Sequence, residues 1–336
     1  MIISSAPFRV SFAGGGTDIS FFYRRRRGAV LSTSIDKYIY ISIHPYFNSR
    51  QTLLKYSRNE LVDDLTRINH PVFREVLKEL WPEGGLEIVS TADIPSGTGL
   101  GSSSSFTVAL LHAVYAYRGT FCGKEKLAAG ACEIEVGRLG EPIGKQDQYA
   151  AAYGGLNFIE FNSDESVAVT PLILPRDTLV DLETNLLLFY TGEQRATGKI
   201  LEDQKKSVES SEKKFKDLVR MSELAYEARD RLISGDLEGF AGTMREGWEI
   251  KRSLSGRISN GRIDEYYTRA MKNGARGGKL LGAGGGGFLL FYCQPGEQDQ
   301  LRMSLSDLPE LPFKFDWSGS RIIYVGDVPT KKGFIP

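Results

Sequence analysis

Apolar positions recur through residues 2–13 in a strand-like pattern, which Gly14-Gly-Gly-Thr-Asp18 then interrupts. Residues 28–44 read as two strands or one long bent strand, with Ile39, Ile41 and Ile43 on one face. The pattern predicts a helix over 60–81, a strand over Leu86–Ser90 and a helix over Phe106–Tyr117 with Val108, Leu111 and Tyr115 on one face. Helices follow over 124–139 and 145–152, then strands over 154–161, 166–173 and 185–191. From Ala196 to Ser234 the period is helical. Phe215, Leu218, Met221, Ala225, Ala228 and Leu232 form an apolar stripe that reads as core contact. Two more helices are predicted over 237–254 and 262–275, and a strand over Phe288–Cys293. A strand-rich first half and a helix-rich second half make the fold class α+β, with a domain boundary between 175 and 195. There is no internal repeat and no low-complexity linker.

Length and charge narrow the function. The chain has 336 residues, enough for two domains, and 41% of them are hydrophobic. Forty-two basic and forty-two acidic residues cancel, so no global field draws it to nucleic acid or an anionic membrane. No apolar run reaches the roughly 20 residues of a membrane span, and the N-terminus lacks the pattern of a signal peptide. The expectation is a cytoplasmic protein without nucleic-acid or membrane partners; a homo-oligomer is left open. Cys122, Cys132 and Cys293 lack metal-site spacing and read as small buried hydrophobes in a reducing compartment. His44, His70 and His112 are scattered, which weakens a zinc site or a histidine-based triad.

Three glycine clusters carry the chemistry. Asp93-Ile-Pro-Ser-Gly-Thr-Gly-Leu-Gly-Ser-Ser-Ser-Ser105 lies between a predicted strand and a predicted helix. Such a turn aims free backbone N–H groups and a positive dipole end at one point, which suits phosphate. It has no lysine, so the Walker pattern fails. Gly282, Gly284 and Gly287 match G-x-G-x-x-G formally, but a strand follows where a dinucleotide fingerprint needs a helix. That cluster is either a turn whose backbone approaches another loop or ligand, or a flexible hairpin. The first cluster, Ala6 to Asp18, flanks its glycines with Arg9 and Asp18. The aspartate is suited to the vicinal hydroxyls of a polyhydroxylated ligand, or else caps a turn.

In order and content these clusters resemble the GHMP kinases. Ala6–Asp18 matches the family's first motif, Pro95–Ser103 its central motif in full, and Leu281–Phe288 its third. Within the family, Phe8–Asp18 and Gly144–Gly154 look most like the D-glycero-D-manno-heptose 7-phosphate kinases. The resemblance implies a two-domain α+β fold. An N-terminal ribosomal-protein-S5-like α/β domain would span 1–185, and a helix-rich C-terminal α+β domain 186–336. It also implies transfer of the ATP γ-phosphoryl group to the anomeric hydroxyl of a heptose 7-phosphate, with Mg²⁺. Two alternatives are an anomeric kinase of a fucose-type sugar and a non-catalytic nucleotide-binding relative.

The resemblance also assigns residues. Pro95, Gly97, Gly99, Leu100, Gly101, Ser102, Ser103 and Ser104 would hold the nucleotide. Ser103, with Ser102 as alternate, and Glu135 would hold Mg²⁺; Glu133 is the rival carboxylate, and the two cannot share a helical face. Asp147 would take the proton from the acceptor hydroxyl, and Arg9 and Lys145 would offset charge on the phosphoryl group. Arg9 could equally anchor Asp147 as an ion pair. Asp18, Gly14, Gly15, Gly16, Gly284, Gly285 and Arg195 are the substrate candidates. A distal phosphate needs cations, and Arg24–Arg27, Arg138, Lys145, Arg195 and Lys199 are nominated, Arg24–Arg27 reading equally as a solvated basic turn.

Overall fold

The computed structural model describes residues 1–193 and 197–326. Its strands are β1 (Ile2–Ala13), β2 (Gly28–Pro45), β3 (Thr52–Lys55), β4 (Asn59–Val62), β5 (Leu86–Ala92), β6 (Leu156–Phe161), β7 (Val167–Pro171), β8 (Leu186–Tyr190), β9 (Ala275–Leu280), β10 (Phe288–Cys293) and β11 (Arg321–Val325). Its helices are α1 (Ser20–Tyr23), α2 (Pro71–Leu80), α3 (Ser102–Tyr117), α4 (Lys124–Cys132), α5 (Gln146–Tyr153), α6 (Arg176–Thr184), α7 (Thr197–Glu209), α8 (Glu212–Ile233), α9 (Leu237–Leu254), α10 (Gly261–Lys272) and α11 (Gln298–Ser304).

Two sheets organise these elements. The larger runs β11-β1-β2-β5-β3-β4, with β6 also on β2 and β7 on β6; only β3–β5 is parallel. The smaller is antiparallel, β8-β10-β9. Strand β2 is one long bent strand. Its first half pairs with β6 and its second with β5, and the register against β1 shifts at Pro7/Phe8. Ile39, Ile41 and Ile43 are buried on one face, as the alternation predicts. Helix α3 is apolar on nearly every side because it is sandwiched. Ser4 and Ser105 tie it to β1, Ser4 Oγ donating to Ala109 O (2.7 Å) and Ser105 Oγ to Pro7 O (2.8 Å).

The stripe on α8 is core: Leu218, Met221, Ala225, Ala228 and Leu232 are at most 2% exposed. This helix packs on both β2 and α9, so one apolar face joins the halves of the chain. Ser211, accepting from Lys214 N, starts α8 and separates it from α7.

Three expectations are corrected. Residues 60–81 are not one helix. Pro71 holds His70 in extended backbone and starts α2, while residues 60–62 belong to β4 of the β3–β4 hairpin and Leu65–Arg67 form a short 3-10 turn. The buried Glu60 carboxylate fixes that break by accepting from Asn69 N, His70 N and Tyr56 Oη. Helix α10 ends at Lys272, and Ala275–Leu280 is a strand. Its Gly277 lies directly under the Ala241 carbonyl of α9, where no side chain fits. Last, the sequence pattern places no element after Cys293, yet Arg321–Val325 forms β11 and pairs with β1.

Candidate active site

The loop before α3 is shaped by glycine at every second position. Gly97, Gly99 and Gly101 have φ of 78°, 85° and 77°, and Gly101 caps the helix in left-handed backbone. Helix α3 begins at Ser102, four residues earlier than predicted, so Ser102–Ser105 form its first turn. Their backbone N–H groups are the helix's open donors. A β-carbon on Gly99 would meet the Leu281 carbonyl oxygen at 2.7 Å. The third glycine cluster is thus a turn that touches the central loop backbone to backbone, and not a flexible hairpin.

Beneath the loop is a cavity of about 240 Å³. Gly97, Gly99, Gly101 and Ser102–Ser104 line one side, with Arg9, Gly15, Gly16, Asp18, Gln146 and Asp147 around its floor. Arg9 grips Asp147 with both prongs, Nε to Oδ1 at 2.7 Å and Nη2 to Oδ2 at 2.9 Å. Its remaining Nη1 donates to Gly99 O at 2.6 Å, and its backbone N donates to Leu100 O. One arginine therefore fixes the carboxylate and the loop together. A β-carbon added at Gly101 would lie 3.4 Å from both Arg9 and Asp147. Asp147 stays one-quarter exposed to the cavity.

Asp18 is buried and triply held. It accepts from Gly16 N (3.0 Å), Gln146 N (3.1 Å) and Gln146 Nε2 (3.0 Å), and its carboxylate covers Gly144. Burial, and next the Asp147 charge, push its carboxyl above the usual range. Two buried oxygens nearby, Ser11 Oγ and Gln146 Oε1, have no hydrogen-bond partner. A polyhydroxylated ligand could supply one.

The structure separates the two glutamates of 133–138, which form a π-helical turn after α4. Glu133 is exposed and meets Arg138. Glu135 is 1% exposed, accepts from Ser103 Oγ (3.0 Å) and Gln148 Nε2 (2.7 Å), and its carboxyl is pushed up by burial. A buried carboxylate beside a serine hydroxyl and no cation is a hard-oxygen pair that a divalent ion would complete.

Other predicted residues stand away from the cavity. Pro95 is exposed and its carbonyl accepts from Thr98 Oγ1; Leu100 is core, and only its carbonyl serves the site, through Arg9 N. Gly14 is packed against the Ala29 carbonyl and Gly284 against Ile258, while Gly285 N donates to Ile258 O. These three shape the backbone, and in the third cluster Gly282 and Ala283 line the cavity instead. Lys145 points away from Asp147. Its Nζ meets Glu165 Oε2 at 2.7 Å and lies over the Tyr23 ring. Against partial burial, hydrogen bonds from Lys145, Tyr23 and Arg24 hold the Glu165 carboxyl at about 2. Arg24 to Arg27 each face a surface carboxylate, Arg138 faces Glu79 and Glu133, and Lys199 is exposed. Arg195 lies outside the described residues.

The two lysines of the cavity, Lys251 of α9 and Lys279 of β9, escape the sequence reading, as do Glu141 and Gln204 of its lining. A signal for the first exists. It sits three residues after Trp248 and three before Leu254, inside the apolar stripe of α9.

The family models for the N-terminal and C-terminal domains of the GHMP kinases match residues 67–155 and 224–308. A relative from Campylobacter jejuni, a D-glycero-alpha-D-manno-heptose 7-phosphate kinase, is 31% identical over 90% of this chain and 93% of its own. This chain belongs to the GHMP kinases. The kinase is accordingly a phosphotransferase with an alcohol group as acceptor, ATP is its phosphoryl donor, and it has the family's two-domain α+β fold. The crystal structure of a D-glycero-D-manno-heptose 1-phosphate kinase from Bacteriodes thetaiotaomicron superimposes with a TM-score of 0.79 at 26% identity, covering 97% of this chain and all of that one. A galactokinase from Pyrococcus furiosus is 26% identical over 96% of this chain and 97% of its own. Among the described residues no helix is long and apolar enough to cross a membrane.

Proposed function

We propose that this kinase transfers the γ-phosphoryl group of ATP to the anomeric hydroxyl of D-glycero-D-manno-heptose 7-phosphate, giving the 1,7-bisphosphate for nucleotide-heptose synthesis. The carrying observation is the Arg9–Asp147 fork held under the α3 N-terminus in one cavity with Asp18. Heptose is favoured over other sugars by the 31% relative, and by the solved structure whose name also specifies that heptose. The two names differ in where they put the existing phosphate; the proposed acceptor follows the first.

In this mechanism the N–H groups of Gly101–Ser104 take the terminal phosphates. Asp147 orients the anomeric hydroxyl and accepts its proton as the oxygen attacks. An anomeric hydroxyl is more acidic than an ordinary alcohol, so a carboxylate suffices. Arg9 keeps Asp147 aimed and presents positive charge below the transferring group. Asp18, with Ser11 and Gln146, takes sugar hydroxyls, and Gly15 and Gly16 leave the room for them. Ser103 and Glu135 would hold Mg²⁺, which neutralises phosphate charge when bound. The first half of the chain thus supplies loop and base, and Lys251, Lys279, Gly282 and Ala283 of the second half line the rest of the cavity. A panel of sugars and sugar phosphates with ATP, read by ADP release, tests the proposal. Heptose 7-phosphate is expected to be the preferred acceptor, and preference for an unphosphorylated sugar would overturn it.

A further inference from the structure

Lys251 and Lys279 are 7% and 5% exposed, and both line the cavity. The Lys251 ammonium donates to Gly282 O, and Lys279 Nζ to Phe12 O at 3.1 Å. Among the described residues neither forms an ion pair. The nearby carboxylates are engaged already, Asp147 by Arg9 and Asp18 by Gly16 and Gln146, while Glu141 of the lining is exposed. An ammonium has three donors, and each of these uses one on a backbone carbonyl.

Holding two ammonium groups away from water is costly, and a methionine at either position would fill similar space without that cost. Burial first, then Lys251 and Arg9 repulsion, draw the Lys279 ammonium well below its ordinary range; burial and then Arg9 bring Lys251 to about 8 against the weaker pull of the Asp18 and Asp147 carboxylates. The arrangement lacks a strong anion. The kinase brings two such groups into this cavity: the phosphoryl group being transferred, and any phosphate its acceptor already carries.

Resting on the kinase reading above, we infer that Lys251 and Lys279 form an ammonium pair that binds a phosphoryl group on the cavity wall built by α9, β9 and the Gly282 turn. The pair is a phosphate contact from the second half of the chain, where the central loop is the contact from the first.

The test uses the full chain with Lys251→Met, Lys279→Met and the double substitution. Inorganic phosphate and pyrophosphate are the probes, read by thermal shift. Phosphate is expected to raise the Tm of the unsubstituted protein, and the double variant to lose most of that rise. Kinetics then identify the source. A KM increase of at least about tenfold confined to heptose 7-phosphate, and absent with unphosphorylated heptose, assigns the pair to the acceptor's own phosphate. An equal loss with both sugars, carried by kcat or the KM for ATP, assigns it to the transferring phosphoryl group. A folded double variant with unchanged phosphate protection and unchanged kinetics overturns the inference. If the variants fail to fold, amine acetylation of the unsubstituted protein decides. Phosphate should shield Lys251 and Lys279 more than exposed Lys205, and equal shielding overturns the pair. Thermal shift needs no turnover. A chain inactive on every sugar would therefore sink the kinase reading while leaving the pair standing, and an active chain with indifferent lysines would do the reverse.

Discussion

The two walls of the cavity hold their charges in opposite ways. On the first-half wall Arg9 and Asp147 neutralise each other at 2.7 and 2.9 Å, and the same arginine pins the Gly99 carbonyl. On the second-half wall Lys251 and Lys279 rest on carbonyls alone. A paired charge holds position before any ligand arrives, which proton transfer and in-line attack require. An unpaired buried charge weakens the empty protein and is compensated when an anion binds. On the proposed reading the first wall serves chemistry and the second serves binding.

The largest effect should come from the first wall. Asp147→Asn removes the proposed proton acceptor while keeping the shape, and kcat should fall by about 10²–10⁴ with unchanged circular dichroism. Steady-state kinetics retaining wild-type turnover would remove the base from this wall.

The second wall predicts a gain where the first predicts a loss. Lys251 falls from 10.5 in the unfolded chain to about 8 when folded, so between those values the unfolded chain binds more protons. Stability should therefore rise with pH across that window. The full cost, on the order of 3 kcal/mol less the lost carbonyl bond, stands below it. Without ligand, Lys251→Met should be more stable than the unsubstituted protein at pH 7, and the advantage should shrink between pH 8 and 10.5. Paired urea titrations measure it, and a destabilised variant at pH 7 would mean that the lysine is a structural tie.

The seam between the walls gives a smaller effect. Gly99→Ala puts a methyl 2.7 Å from Leu281 O at φ 85°. It should destabilise the fold by about 1–2 kcal/mol from backbone strain alone, and urea titration reads the loss. The smallest is Glu135→Gln, which keeps the neighbours Ser103 and Gln148 but not the charge. The Mg²⁺ concentration for half-maximal activity should rise about tenfold; an unchanged titration removes Glu135 from the proposed metal site.

The same contrast explains what was legible in the sequence. The central loop, Arg9 and Asp18 could be nominated because they sit in short glycine clusters whose residue types state their chemistry, whereas Glu135 and Asp147 were nominated through the family resemblance. Strands β1, β2, β5 and β10 and the α8 stripe were legible because burial there follows a simple period. Lys251 and Lys279 were not. A lysine near a helix end or beside strand glycines reads as solvated, and only the packing of α9 on β9 buries these two. Lys145 erred in the other direction. It neighbours Asp147 in sequence, yet its side chain turns to Glu165, a partner twenty residues away. The 60–81 stretch was misread because helical propensity obscured the Pro71 start signal.

The most direct measurement of the central claim is phosphorus NMR of the kinase with ATP, Mg²⁺ and D-glycero-D-manno-heptose 7-phosphate. The account predicts one new phosphate resonance coupled to the anomeric proton, growing in step with ADP while the 7-phosphate signal persists. A new phosphate on any other carbon, or ADP formed only with unphosphorylated sugars, would contradict it.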